Sequence, residues 1–179
     1  MDKPRPLSPS RANQFKDCQL LYRYRTIDAL PEPPGTAAVR GNLVHLVLER
    51  MFDEPFDKRD LGLVTSFLPQ ALIDLVQANP HFPAAIDERL SWEPGAEWSI
   101  SDISEDAKER FLADSGALLE KYFTLEDPRQ LQPSHREHPL STTTEQGTAI
   151  HGIIDRIETN PSGEIRISDY KTGKSPKPG

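Results

Sequence analysis

The sequence predicts a single α/β domain over residues 1–179, mainly helical over 1–130 and β-rich over 131–179. Three observations carry that prediction. Through the front, apolar residues recur every three to four positions, the spacing of one helix face. From Glu137 onward the period becomes two, as in half-buried strands. The clusters TEQG and NPSG then divide this end into three short strands, an antiparallel meander expected to begin a central mixed sheet.

In LSPSRANQFKDCQLLYRYR, Ser8 suits an N-cap and Pro9 the first helical position, and Ala12, Phe15, Cys18 and Tyr22 follow at helical spacing. A first helix is expected over residues 9–24. Pro31, Pro33 and Pro34 prevent its continuation. GNLVHLVLERMF is apolar nearly all round and reads as a buried helix, with His45 and Glu49 one turn apart on one face. Residues 61–78 read as helix interrupted at Pro69, and WEPGAEWSISD as a loop carrying Trp92 and Trp98. A longer helix is expected over 104–124, with Ala107, Phe111, Leu118 and Tyr122 as its core stripe and Leu112, Leu119 and Phe123 beside it.

The formal charge is −7, unevenly spread: residues 1–27 carry six basic residues against Asp2 and Asp17, so the remainder is close to −11. An acidic body repels a polyanion, which argues against a general DNA-coating protein. A nucleic acid would have to be met by local basic patches or through a bridging metal. MDKPRPLSPS has no apolar signal region, no run approaches a membrane span, and Cys18 is the only cysteine. A soluble cytoplasmic protein is expected, with no membrane partner.

The stretch IRISDYKTGKSPKPG holds two competing motifs. A phosphate-binding loop requires G-x-x-x-x-G-K-[ST], yet Ser168 stands where the first glycine is needed, and Pro176 and Pro178 oppose the helix that must follow. Metal chemistry fits better. Alternation places Ile165, Ile167, Asp169 and Lys171 on one strand face, and His151, Ile153, Asp155 and Ile157 on one face of the preceding strand. A hairpin register pairing these strands brings Asp155 beside Asp169, and two such carboxylates call for a cation or a proton between them. Lys171 can position water or offset phosphate charge, and His45 can complete the ligand set, which makes Mn²⁺ as acceptable as Mg²⁺.

RGNLVHLVLE, then GIIDRIE, then ISDYKTGK, in that order, resemble the PD-(D/E)xK nuclease superfamily and within it the RecB-like exonuclease branch. The first helix, with its cysteine, is similar to the opening of that branch. The resemblance implies a restriction-endonuclease-like α/β fold and metal-dependent DNA hydrolysis, exonucleolytic and in repair or recombination. It implies that His45, Asp155, Asp169 and the Tyr170 backbone carbonyl bind the metal and that Lys171 is the catalytic lysine. A helicase, fused or separate, is an implied partner.

Two features of the family are missing: the helix with a Q-x-x-x-Y motif after the D-x-K strand, and three late cysteines that with Cys18 would hold a 4Fe–4S cluster. The expectation is therefore a C-terminally truncated fragment, weak or inactive alone, with a cluster only if further chain supplies those cysteines.

Plainer readings stand beside these. His45 also suits a packed core histidine, Asp155 with Arg156 a surface ion pair, and Asp169 with Lys171 an ordinary same-face salt bridge. Glu49 is a candidate partner for the imidazole, and Glu137 a candidate metal neighbour from the first strand. Arg11, Lys16, Arg23, Arg25 and Lys174 are candidate DNA contacts or simply solvated. A catalytically inactive module that binds DNA or a helicase is the alternative function.

Overall fold

The computed structural model describes residues 6–173. Helix α3 (Thr36–Met51) is the axis of the helical half. Val39, Leu43, Val44, Val47, Leu48 and Met51 are all buried on it, as expected of a helix apolar on most sides. Against it pack α4 (Leu61–Ser66), α5 (Leu68–Ala78) and α7 (Glu105–Leu125), which add Val64, Leu72, Val76, Phe111, Leu119 and Tyr122 to one continuous core. Short α6 (Pro83–Ile86) leads to Asp87, whose buried carboxylate accepts the backbone N–H and hydroxyl of Ser104, the N-cap of α7.

Two boundaries differ from expectation. The first helix is not continuous over 9–24: α1 (Pro9–Asp17) stops at Cys18, which is extended, and α2 (Gln19–Tyr22) restarts from it and passes into a π-helical turn over Arg23–Ile27. Cys18 Sγ accepts the Leu21 N–H, so the residue expected on a helix stripe is instead a cap. The interruption in the 61–78 region falls at Phe67 rather than Pro69, because proline is tolerated in the first turn of α5, where no intrahelical donor is needed.

The meander is present as β1 (His135–Thr143), β2 (Ala149–Thr159) and β3 (Ile165–Ser168), antiparallel in the order β1-β2-β3. Gly147 and Gly163 supply the positive φ of its two turns. Parallel pairing among the described residues is confined to the isolated bridge Leu7–Ile150, which holds the chain before α1 against β2. Arg156 faces the helices and is fully buried, whereas Ile153, Ile165 and Ile167 stay exposed. Among the described residues, no helix is long and apolar enough to cross a membrane.

Candidate metal centre

The register of the sheet assembles the site. Arg136 pairs with Arg156 and His138 with Ile154, so Glu137 lies across from Asp155; Arg156 pairs with Ser168, so the next residues along, Asp155 and Asp169, lie across from each other. Glu137 on β1 and Asp155 on β2 thus sit opposite each other, with Asp169 just past the end of β3 next to them. Glu137 has a φ of 42°, although the pairing is in step on both sides of it. A left-handed backbone at a non-glycine residue costs energy and recurs at functional sites.

His45 reaches these carboxylates from α3. Its Nδ1 lies 3.7 Å from Asp155 Oδ1 and 4.0 Å from Glu137 Oε1. His45, Glu137 and Asp155 each offer a ligand atom, all within 4.8 Å of one another, and Asp155 is the most enclosed, its side chain only 9% exposed. On the other side of the ring, Nε2 meets the backbone carbonyl of Tyr170 at 3.0 Å. A carbonyl can only accept, so this contact uses an Nε2 proton and turns the other ring nitrogen, Nδ1, toward the carboxylates. The N–H of the same residue, Tyr170, donates to Asp155 Oδ2 at 2.6 Å. One peptide segment therefore orients both the histidine and the aspartate.

Burial and the nearby charge of Asp155 push the Glu137 carboxyl above its usual range; His45 opposes this and Glu49 adds to it. Such a carboxylate is held ready for a cation or a proton. A nitrogen and two carboxylates in a partly enclosed cluster are a donor set that suits a divalent ion such as Mn²⁺ or Mg²⁺.

Asp169 and Lys171 lie beside this cluster rather than in it. Their side chains pair with each other at 2.5 Å and are 57% and 78% exposed. Both line a groove of about 530 Å³ between α7 and the end of β3, to which α7 contributes Lys121 and β3 contributes Arg166. The Tyr170 carbonyl, expected on the metal, is engaged by His45.

Arg11 donates to the Pro6 carbonyl, Arg23 pairs with Asp28 and Arg25 with Glu32, while Lys16 is exposed in the last turn of α1. Lys174 lies outside the described residues. Arg156, for which a surface ion pair with Asp155 was the plainer alternative, is buried and bonded to Glu126 and Tyr122 instead. Its partner Glu126 drew no notice in the sequence, because it follows a helix end with no motif around it.

The sequence model of the PD-(D/E)XK nuclease superfamily matches residues 6–179. The chain belongs to this superfamily. PD-(D/E)XK nucleases use divalent metals, and His45, Glu137 and Asp155 form a cluster that could hold one. The helical front followed by a three-stranded antiparallel sheet is a mixed α/β arrangement consistent with the PD-(D/E)XK fold. No curated protein matches the chain.

Proposed function

We propose that this protein is a metal-dependent DNA nuclease of the RecB-like branch, acting as an exonuclease in repair or recombination and using Mg²⁺ or Mn²⁺. The observation that carries the reading is the convergence of ligand atoms of His45, Glu137 and Asp155 within 4.8 Å, with the His45 ring held through Nε2 on the Tyr170 carbonyl. His45 and Asp155 are the central ligands. Glu137 and Asp169 flank Asp155 from the two neighbouring strands, Glu137 already inside the cluster and Asp169 turned toward Lys171. When bound, the ion makes water more acidic and offsets charge on the phosphate. Lys171 serves as the catalytic lysine: its exposed ammonium leaves Asp169 to meet the scissile phosphate, which frees that carboxylate for the cluster. Lys121 from α7 and Arg166 from β3, the latter paired with Glu126 and Glu158, are the cations the adjoining groove offers the DNA backbone beside Lys171.

The test is cleavage of end-labelled linear DNA with Mn²⁺ or Mg²⁺. Expected is metal-dependent release of short products by the protein, lost in Asp155→Asn and in Lys171→Ala. Equal cleavage by the protein and Asp155→Asn would contradict the reading. The Asp169–Lys171 pair favours one second reading, a metal-holding module that binds DNA or a helicase without cutting. That reading predicts metal binding and DNA retention with intact substrate.

A further inference from the structure

Arg156 lies on β2 next to Asp155 but points into the helical half, where it is 0% exposed. Its Nη1 donates to the Tyr170 hydroxyl at 3.1 Å and to the Tyr122 hydroxyl at 3.3 Å. Its two terminal nitrogens engage both carboxylate oxygens of Glu126, a two-point pairing, and Nη2 also reaches Ser168 Oγ at 3.1 Å. The guanidinium lies over the rings of Phe52 and Tyr170, 5.6 and 5.5 Å from their centroids. Its Nε faces Glu158 at 3.4 Å without making a hydrogen bond.

This is an expensive arrangement for stability alone. A buried ion pair recovers its desolvation cost only with good geometry and full satisfaction, and an apolar side chain often does as well. What a guanidinium adds is a planar fork that fixes several partners at once. The partners are informative. Ser168 and Tyr170 bracket Asp169, and Tyr170 is the residue whose N–H grips Asp155 and whose carbonyl grips His45. Its ring also meets His45 edge-on at 5.7 Å and Tyr122 at 5.8 Å. From Glu126 at the end of α7, a continuous chain of contacts therefore runs through Arg156 and Tyr170 to both ligands.

We propose that Arg156 is the positioning residue of the metal centre, acting through Tyr170 to hold His45 and Asp155 in ligating orientation. The inference rests on the cluster being a metal site. Partners that orient metal ligands are worth about 10- to 100-fold in metal affinity.

The test is Mn²⁺ binding by calorimetry, well below the unfolding transition, on the full chain and on Tyr170→Phe, Arg156→Lys and their double variant, with urea unfolding of each. Tyr170→Phe keeps the ring and the Arg156–Glu126 pair and removes one bond, so it remains informative should Arg156→Lys fail to fold. Expected is weaker Mn²⁺ binding by several-fold in Tyr170→Phe and by at least about tenfold in Arg156→Lys. The double variant should be no weaker than Arg156→Lys, because both substitutions cut the same chain of contacts. Reduced stability with unchanged Mn²⁺ affinity in Tyr170→Phe would overturn the role of Arg156 and leave the metal site standing. Absence of Mn²⁺ binding by the unsubstituted protein would overturn the site reading and this role with it.

Discussion

Leu43, Val47 and Met51 on α3 are essentially inaccessible to solvent, whereas Ile153, Ile165 and Ile167 on the sheet are 58%, 66% and 62% exposed. The fully buried side chain of the sheet is the charged one, Arg156. The helical half is thus held by apolar burial, which is non-directional and tolerant of small displacements. The sheet is held to it by a hydrogen-bonded polar cluster, which is directional. Stability and geometry are assigned to different halves, and the candidate metal centre lies at their seam, with His45 from one half and Glu137 and Asp155 from the other.

The largest effect should come from breaking the apolar side of this comparison. Leu43→Ala is expected to cost about 2–5 kcal/mol in urea unfolding, through lost burial and the cavity left behind. Ile165→Ala, on the exposed sheet face, should fall within about 0.5 kcal/mol of the parent. Similar losses at the two positions would show that the sheet face is covered in solution.

The polar anchors of the helical half give the next effect. The Arg89 guanidinium and the Ser104 backbone N–H hold the Asp87 carboxyl well below the usual carboxylate range, against the opposing effect of burial. A depressed native value means that this contribution is present in full above the ordinary aspartate value, about 3.9, and drains away as pH falls below it. Thermal unfolding should therefore show a steeper acid loss in the parent than in Asp87→Asn, with the variant less stable at neutral pH. Parallel pH profiles would remove Asp87 from the account.

Glu137 carries the opposite sign. Because its carboxyl is raised, the folded chain holds a proton there that the unfolded chain has released, between the ordinary glutamate value of about 4.3 and the raised one. Through that window the metal-free protein gains stability as pH falls, and Mn²⁺ affinity declines as the proton competes. In Glu137→Gln both slopes should flatten. A metal affinity equally dependent on pH in that variant would place the competing proton elsewhere.

Much of this was legible in the sequence, for a physical reason in each case. Helix α3 could be read because its apolar positions leave His45 conspicuous, and α7 because the stripe from Ala107 to Tyr122 keeps helical spacing. The antiparallel pairing of β2 with β3 followed from strand alternation and a short turn. The weight of Glu137 did not, since its place opposite Asp155 depends on the β1 register and on a backbone twist that no local residue type announces. Nor did the Asp169–Lys171 pair falling beside the cluster, which depends on where the chain leaves the ladder after Ser168. Arg156 was hidden for a simpler reason. Arginine after aspartate looks like a surface pair until the opposite strand face is known to be covered by α7.

The most direct measurement of the central claim is Mn²⁺ calorimetry on the protein, His45→Ala, Asp155→Asn and Asp169→Asn, with circular dichroism to verify that each is folded. A single site in the parent is predicted, weakened by at least about tenfold in His45→Ala and Asp155→Asn. The loss should be smaller in Asp169→Asn, whose carboxylate starts outside the cluster. Undiminished binding in folded His45→Ala and Asp155→Asn would contradict a metal centre at this seam.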